Sequence, residues 1–488
     1  MKTRKKKSAP RAPAIRFGTD GWRGLIARDF TFENVTRVAR ALAAWLVECE
    51  DLRRGVVVAY DTRFLADRFA RRVAEVLTSI GAPVWLATAP TPTPALSFTV
   101  RARGAAAGVM LTASHNTYPW LGLKLKEGYG GSASSRAVKE VERCLADESR
   151  LPRVSPRPRL IEPLDLKPAY LARLAELVDL DRIAGAPGAS ASGGRAGLRL
   201  ALDSMHGAGA GYLKSLADAH GIAAVEVRGA PDPFFGGTQP EPTEANLAPL
   251  REAVRAQSCD LGAATDGDAD RVAALDANGD FVDPHKIFAL VFRHLVERRS
   301  LTGGVAKTFS VSKMIDCMAE RYGVELVETP IGFKYIAELM LERDLLMGGE
   351  ESGGIGIPPH LAERDGLLLS LLLAEIVATE GKPLAECVAD LQKEFGPLHY
   401  RRVDLHLDPA QKQRALQRLA ADDLRRVGEW TVVGREDLDG TKLYLLNAGW
   451  VLIRTSGTEP VVRIYAEAPA AELTARVVAA VQELVRSA

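Results

Sequence analysis

Cysteine and aromatic residues are scarce in this chain. Its 488 residues include five cysteines, and aromatic residues make up 6% of the sequence. The cysteines lie far apart and form no C-x-x-C pair, which argues against both a zinc site and a disulfide framework. Isolated cysteines of this kind fit a reducing compartment, and we expect the protein to be cytoplasmic.

The chain also lacks a surplus of charge of either sign, and it lacks long apolar runs. Lys and Arg total 63 against 62 Asp and Glu, so the folded body has no strong field to attract nucleic acid. No apolar run approaches the roughly 18–20 residues that span a bilayer. We therefore expect neither a membrane nor a nucleic-acid partner. Residues 1–14 are the exception in charge, and their Lys and Arg among Ser, Ala and Pro predict a disordered basic tail.

The length and an internal repeat predict several domains. The chain exceeds the usual domain size of about 100–200 residues. The segments 55–87, 197–228 and 304–330 each run from an apolar strand through a polar turn, a helix and a glycine into a second strand. This recurring order predicts three related α/β domains, each around a mainly parallel sheet.

Changes in composition indicate the domain boundaries. The Pro- and Arg-rich segment 150–163 indicates a linker near residue 160, and after residue 398 the pattern changes to short strands followed by an amphipathic helix. Beyond the tail, we predict α/β domains at 15–160, 161–282 and 283–398, and a smaller α+β domain at 399–488. Four domains arranged around one central cleft are the expected architecture.

The segment GVMLTASHN at 108–116 is an apolar strand that ends in polar residues. In α/β proteins, ligands bind at such strand ends. Taken alone, Ser114 and Asn116 are better explained as caps of the next turn. The other polar segments of the chain favour a functional interpretation.

Asp266, Asp268 and Asp270 alternate in a loop between two apolar stretches. Three carboxylates at this spacing can converge on one hard divalent cation. An EF-hand is excluded, because its glycine and glutamate positions are Arg271 and Ala277 here. The loop predicts a Mg²⁺ site, with a phosphate oxygen completing the ligand shell and Arg271 holding the same phosphate. The alternative is an acidic turn without a metal.

Two glycine-rich segments offer groups that suit a sugar. In GGEESGG at 348–354, Glu350 and Ser352 provide acceptors and donors for hydroxyl groups. In TPIGFKYI at 329–336, Gly332 forms a turn and Lys334 is a candidate phosphate or sugar contact. An ordinary exposed lysine is the alternative for Lys334.

The segment IRTSGTEP at 453–460 has the composition of an anion-binding nest. A strand followed by Arg, hydroxyl groups and Gly can surround phosphate oxygens with N–H and O–H donors. The residues are Arg454, Ser456, Gly457 and Thr458. No P-loop sequence exists in the chain, and GAGAG at 207–211 lacks dinucleotide-binding spacing, which argues against an ATPase and a dehydrogenase.

Taken together, these segments resemble the phosphoglucomutase/phosphomannomutase family, the α-D-phosphohexomutases. The motifs in family order are GTDGWRG (18–24), TASHN (112–116), DGDADR (266–271), GEESGG (349–354) and RTSGTEP (454–460). The resemblance implies a four-domain fold, with three related α/β domains with mixed sheets and a smaller fourth. It also implies interconversion of hexose 1-phosphate and hexose 6-phosphate, with glucose or mannose as the sugar. A hexose 1,6-bisphosphate would be intermediate and activator, and we expect a monomer or homodimer.

The resemblance further implies a role for individual residues. Ser114 would be the phosphoserine and would bind Mg²⁺ with the three aspartates, while Glu350 and Ser352 would bind sugar hydroxyls. Arg23 and Arg271 would stabilise the transferring phosphoryl group, and Lys124 is a candidate general base. The non-reacting phosphate would be held by Arg454, Ser456, Gly457 and Thr458.

The chain departs from the family pattern at several positions. Thr117 stands where the family has proline, and Leu121 replaces the Asn before a glycine. Gly354 stands where some relatives carry His, so His115 or His360 is expected to supply the acid or base, and His360 to contact the substrate. Two alternatives stay open: a phosphoglucosamine or N-acetylglucosamine-phosphate mutase, and a non-catalytic protein that binds sugar phosphates.

Overall fold

The computed structural model describes residues 15–18, 20–186, 197–420, 424–455 and 461–486. The predicted basic tail, residues 1–14, lies outside this part of the chain. Four sheets follow one another along the sequence, three of them mixed and the fourth antiparallel. The fold class predicted from the sequence is confirmed.

The first sheet has six strands and contains the predicted serine loop. Its elements are β1 (Trp22–Leu25), α1 (Phe32–Cys49), β2 (Val56–Tyr60), α2 (Ala66–Thr78), β3 (Val84–Ala87), α3 (Thr93–Arg103), β4 (Ala107–Leu111), β5 (Trp120–Glu127), α4 (Ser135–Ala146) and β6 (Ile161–Leu164). The strand order is β1-β5-β4-β2-β3-β6. β2, β3, β4 and β6 are parallel, and β5 runs antiparallel to β4.

The sixth strand corrects the first predicted boundary. β6 pairs with β3, so the first sheet continues past residue 160, where a linker was expected. Pro163 is tolerated there because β6 is an edge strand, and a proline at an edge need not remove a ladder hydrogen bond. The high Pro and Arg content concealed this strand.

The second sheet has five strands and contains the acidic loop. Its elements are α5 (Lys167–Leu177), α6 (Leu180–Gly185), β7 (Arg199–Asp203), α7 (Tyr212–Ala219), β8 (Ala223–Val227), α8 (Ala248–Ala256), β9 (Leu261–Thr265), β10 (Val272–Leu275) and β11 (Phe281–Val282). The order is β11-β10-β9-β7-β8, with β10 antiparallel to β9.

The third sheet has four strands and contains the predicted sugar loop. Its elements are α9 (Pro284–Arg293), β12 (Gly304–Thr308), α10 (Met314–Tyr322), β13 (Leu326–Thr329), α11 (Phe333–Glu342), β14 (Leu345–Gly349), β15 (Ile355–Gly356), α12 (Gly366–Glu380) and α13 (Leu384–Phe395). The order is β13-β12-β14-β15, with β15 antiparallel to β14.

One arrangement of four strands recurs in all three sheets. It appears as β3-β2-β4-β5, β8-β7-β9-β10 and β13-β12-β14-β15. The glycine between helix and second strand has positive φ in each copy, at Gly81, Gly221 and Gly323. The predicted repeat is therefore present. The turns β4–β5, β9–β10 and β14–β15 are equivalent, and they carry the serine, acidic and sugar loops.

The second and third α/β units share one hydrophobic core. Helix α12 is buried from Gly366 to Val377, and it packs against α6, α9, β9 and β10. A helix that is apolar on all sides needs neighbours all around it, and both units supply them. The first and fourth units have separate cores.

The C-terminal unit is a six-stranded antiparallel sheet with two helices. Its elements are β16 (His399–His406), α14 (Pro409–Ala420), β17 (Arg426–Val427), β18 (Trp430–Glu436), β19 (Thr441–Leu445), β20 (Gly449–Thr455), β21 (Val461–Ala468) and α15 (Ala471–Arg486). Helix α15 packs on β16 and β21. Across the described ranges, none of the helices combines the length and apolarity that crossing a membrane would require.

Candidate active site

Ser114 lies in the turn between β4 and β5 and is almost fully buried, with 1% of its surface exposed. Its φ of 50° is in the left-handed region, which non-glycine residues rarely adopt. The backbone N–H donates to Thr112 Oγ1 at 2.8 Å. Strain of this kind persists only where the surroundings impose it, and it is frequent at functional sites.

Arg63 imposes this conformation from the neighbouring strand end. Its guanidinium is buried, and Nε donates to Asp61 Oδ2 at 3.0 Å. The remaining N–H groups donate to the backbone carbonyls of Ser114, Asn116, Thr117 and Trp120. Sequence reasoning missed this residue. The available signal was the Asp-Thr-Arg sequence directly after β2, the strand beside β4.

The three aspartates of the β9–β10 turn converge as predicted. Asp266, Asp268 and Asp270 are each fully buried, and one oxygen from each lies within 4.8 Å of the others. Burial, with the charges of the other two aspartates, raises the pKa of Asp266 well above its usual range. Oδ1 of Asp268 and Oδ1 of Asp270 have no hydrogen-bond partner within the described residues. Buried, mutually repelling carboxylates with unpartnered oxygens fit a Mg²⁺ ion.

The serine loop and the acidic loop are in direct contact. Ser114 Oγ donates to Asp266 Oδ2 at 2.8 Å, and the contact joins the first two sheets. The loops approach so closely that a Cβ on Gly267 would lie 2.5 Å from the Ser114 carbonyl oxygen. Only glycine permits this approach, which brings the predicted phosphate carrier to the predicted metal site.

His115 lies beside the serine hydroxyl. Its Nδ1 is 3.3 Å from Ser114 Oγ. Burial, together with the charges of Arg271 and Arg23, lowers the pKa of His115 well below its usual range. The imidazole is therefore neutral at neutral pH.

Lys124 extends from β5 into the acidic loop. Its Nζ lies 2.9 Å from Asp20 Oδ2, 2.8 Å from Asp268 Oδ2 and 2.9 Å from Asp270 Oδ2. Burial alone would lower the pKa of Lys124, but the carboxylates outweigh it and the pKa is raised. In this arrangement Lys124 is paired with the acidic group, and its role as a general base stays a prediction.

Two arginines complete the positive side of the site. Arg23 on β1 donates to Asn116 Oδ1 in the serine loop. Arg271, which follows the aspartates, pairs with Glu241 at 3.2 Å, and its Nε is buried without a hydrogen-bond partner among the described residues. Arg23 thus contacts the serine loop, and the backbone N–H of Arg271 donates to Asp266 Oδ1 at 3.2 Å. Their role at the transferring phosphoryl group stays a prediction.

The sugar loop lies against the acidic loop. The Val272 N–H donates to the Gly353 carbonyl at 3.1 Å. Glu350 is buried, which raises its pKa to about 7 despite the Arg364 guanidinium 3.5 Å away. Ser352 is half-buried in the same turn. The third equivalent turn thus joins the other two.

Two further predicted sugar contacts lie at the start of α11. Gly332 has φ 134° and immediately precedes the helix. Lys334 is half-exposed, and its Nζ lies 4.8 Å from the centre of the Tyr335 ring. The structure shows no contact between Lys334 and the serine, acidic or sugar loops within the described residues.

His360 is not part of this cluster. Its Nε2 lies 2.9 Å from Asp365 Oδ2, and its ring packs beside Phe98 and Tyr170. The side chain is 1% exposed. The expectation that His360 contacts substrate is therefore corrected: the histidine is a buried contact between the first and third units.

The fourth predicted loop is described only at its start. Arg454 Nε donates to Asp439 Oδ1 at 2.9 Å, and Asp439 Oδ2 accepts from the Ile331 N–H at 2.9 Å. Arg454 is thus linked through Asp439 to the third unit. Ser456, Gly457 and Thr458 lie outside the described residues.

Sequence reasoning also missed two charged residues that connect the loops. Asp20 accepts from both Lys124 and Arg364. Arg364 in addition reaches Asp270 and Glu350. Asp20 lies within the GTDGWRG motif, which could have indicated a functional role. For Arg364, the sequence shows only that it lies in a charged stretch before α12.

Comparison with known families matches this four-part organisation. Models of phosphoglucomutase/phosphomannomutase domains I, II, III and the C-terminal domain match residues 14–151, 168–279, 283–395 and 407–484.

Individual relatives extend over nearly the whole chain. A phosphoglucomutase/phosphomannomutase of Thermococcus kodakarensis is 31% identical over 93% of this chain and 95% of its own. A phosphoglucosamine mutase of Salinispora arenicola is 32% identical over 97% and 98%. A solved structure from Thermus thermophilus, assigned there as a phosphomannomutase, is 38% identical with a TM-score of 0.84, covering 97% of this chain and all of that one.

The fold and the site define a four-domain phosphohexomutase, with a buried serine beside an acidic triad and a sugar loop. The matched domains and the relatives agree with that class. The chain belongs to the phosphoglucomutase/phosphomannomutase family.

Proposed function

We propose that this protein interconverts the 1-phosphates and 6-phosphates of glucose and mannose, with Ser114 as the phosphate carrier. The observation that carries the proposal is the position of Ser114 Oγ, 2.8 Å from Asp266 in a buried acidic triad. The similarity to the Thermococcus kodakarensis phosphoglucomutase/phosphomannomutase and to the Thermus thermophilus structure supports this choice of sugars.

The site provides the groups that phosphoryl transfer needs. Asp266, Asp268, Asp270 and the Ser114 oxygen would hold Mg²⁺, which when bound neutralises charge on the transferring group. Arg23 and Arg271 stabilise the phosphoryl oxygens as the bond to Ser114 Oγ breaks and the bond to a sugar oxygen forms. The resulting hexose bisphosphate turns around in the cleft. Its other phosphoryl group then returns to Ser114.

Proton transfer at the serine is assigned to His115. The imidazole is neutral, and its Nδ1 lies 3.3 Å from Ser114 Oγ. It can accept the hydroxyl proton when Ser114 attacks phosphorus and pass it to the departing sugar oxygen, and in the opposite step it moves the proton of the attacking sugar hydroxyl to Ser114 Oγ. Lys124 remains protonated and holds Asp268 and Asp270 in place.

A phosphoglucosamine mutase is the second candidate. Relatives of that name from Salinispora arenicola and Carboxydothermus hydrogenoformans are 32% and 29% identical, close to the 31% of the Thermococcus kodakarensis enzyme. Because sugar choice depends on a few hydroxyl or amine contacts, overall similarity at this level does not separate the two activities.

The decisive experiment is a coupled mutase assay with Mg²⁺ and trace glucose 1,6-bisphosphate. Glucose 1-phosphate, mannose 1-phosphate and glucosamine 6-phosphate are compared, the last in the direction of its 1-phosphate. We expect turnover of the first two, and a loss of at least about 10³-fold in Ser114→Ala, because the carrier hydroxyl is removed. Ser149→Ala, an exposed serine of the same domain, serves as the matched control.

The substrates separate the outcomes. Turnover of glucosamine 6-phosphate alone would support the second candidate. Substantial activity in Ser114→Ala, or no turnover of any of the three sugars by the folded wild-type protein, would overturn the assignment.

A further inference from the structure

Arg364 contacts all three catalytic domains through one guanidinium group. Its Nη2 lies 2.6 Å from Asp20 Oδ2 in the first domain and 2.9 Å from Asp270 Oδ2 in the acidic loop. Its Nη1 lies 3.5 Å from Glu350 Oε2 in the sugar loop. The side chain is 5% exposed. The N–H groups of a guanidinium point in fixed directions. A buried guanidinium therefore sets the orientation of the carboxylates that it contacts and also balances their charge.

Gly354 provides the space for this arrangement. A Cβ at position 354 would lie 2.4 Å from Arg364 Cδ and 3.4 Å from Glu350 Oε2. A side chain at this position would clash with the arginine and crowd the glutamate. Gly354 has no positive φ, so its small size, rather than backbone freedom, is what the structure uses.

The start of the Arg364 side chain is fixed as well. The backbone forms a bridge with Gly356, and its N–H donates to Glu363 Oε1 at 3.0 Å. Glu363 in turn pairs with buried Lys126, and the guanidinium carbon lies 5.4 Å from the centre of the Phe333 ring. Arg364 therefore has little freedom to move away from Glu350 and Asp270.

We infer that Arg364 is a positioning residue, which holds the Glu350 carboxylate at a fixed place relative to Asp270 and the phosphoryl-transfer centre, in a space that Gly354 leaves open. Its effect is on sugar recognition: a sugar bound by Glu350 is presented to the phosphoserine at a defined distance. This inference rests on the proposed function of the site.

Three variants test the inference. Arg364→Lys keeps the charge but loses the fork, Gly354→Ala displaces the arginine without removing any charged group, and the double variant combines both. Arg343→Lys, an exposed arginine at the end of α11, is the control. We expect kcat/KM to fall by about 10- to 100-fold in each single variant, mainly through KM. The kcat/KM of the double variant should be no lower than that of the less active single variant, because both changes act on one contact.

Binding measurements distinguish positioning from a general structural effect. The dissociation constants of glucose 6-phosphate, inorganic phosphate and Mn²⁺ are measured by titration calorimetry for each variant. We expect glucose 6-phosphate to bind about tenfold more weakly, with inorganic phosphate and Mn²⁺ within about twofold of wild type. If Arg364→Lys fails to fold, Gly354→Ala carries the same test.

Either of two results would overturn the inference: additive losses in the double variant, or equal weakening of glucose 6-phosphate and inorganic phosphate. Failure of the proposed function gives a different pattern. In that case the wild-type protein binds glucose 6-phosphate without turning it over, while the variants still show the selective loss of sugar binding.

Discussion

Protonation of Glu350 makes the stability of the fold depend on pH. Burial raises its pKa to about 7, against an ordinary value of 4.5. The folded protein therefore binds this proton more tightly than the unfolded chain does. The stability that the protonated carboxyl contributes is fully present below about pH 4.5 and is lost as the pH rises through about 7.

Glu350→Gln should be more stable than the wild type at alkaline pH. Glutamine has the same shape but no charge, so at pH 8.5 the free energy of unfolding should rise by about 1–3 kcal/mol, and the difference should fall below about 1 kcal/mol near pH 5. Urea unfolding at both pH values measures it. The exposed Glu342→Gln is the control. A stability difference that is the same at pH 5 and pH 8.5 would contradict the assigned cause.

Some site residues were predictable one at a time and others were not. Ser114 and Asp266 stood in recognisable segments, and the structure brings them together. Arg63 and Arg364 act through backbone carbonyls and carboxylates that are distant in sequence. A local pattern such as Asp-Thr-Arg after β2 shows where such a residue stands but not which groups it contacts, because the packing of sheets and domains brings its partners together.

At the scale of elements, the site depends on equivalent turns meeting at close range. The turns β4–β5 and β9–β10 touch where Gly267 faces the Ser114 carbonyl. Each turn follows a buried strand, so its backbone can shift little without disturbing a sheet. Close approach, rather than any single side chain, sets the distance between Ser114 and the acidic triad.

Gly267→Ala should therefore impair catalysis more than stability. The added Cβ, 2.5 Å from a carbonyl oxygen, must push the two turns apart, and we expect kcat/KM to fall at least about tenfold with weaker Mg²⁺ dependence. Mutase assays over a Mg²⁺ titration measure this. Gly221→Ala is the control: it has φ +68° with open space around it. It should cost about 1–2 kcal/mol of stability and leave activity unchanged. Equal activity of the two variants would contradict the prediction.

The repeat of strand, helix, glycine and strand was visible in the sequence because hydrophobic periodicity and helix-ending glycines are local signals. Strand β6 was not visible. Its four residues have exposed or half-exposed side chains, and their pairing with β3 is a long-range contact that the local sequence does not reveal.

Across the whole molecule, the fourth domain contacts the third through hydrogen bonds and through a small apolar cluster around Phe309. Asp439 accepts from the Ile331 N–H and from Arg454, and Lys442 donates to the Phe309 carbonyl. Its hydrophobic core is separate from that of the second and third domains. Such an interface is compatible with the opening and closing that the proposed reorientation of a bisphosphate would need.

Asp439→Ala should weaken substrate binding while sparing chemistry. It removes both a hydrogen bond to the third domain and the partner that directs Arg454. We expect KM for hexose phosphates to rise about 5- to 10-fold, with kcat within about twofold of wild type. Steady-state kinetics provide the measurement. Asp437→Ala in the same turn, whose contacts are with Arg435 and Thr441, is the control. A fall in kcat alone would rule out this role.

The sequence by itself determined the repeated α/β units, the smaller C-terminal domain, the segments that carry the serine loop and the acidic triad, and the family. These follow from periodicity, spacing and motif order, which are properties of neighbouring residues. Only the tertiary structure decided that Lys124 pairs with three carboxylates, that His360 is buried away from the site, and that Arg364 enters the space left by Gly354. Each depends on groups from different domains meeting in a buried place, where distance and desolvation set charge and position.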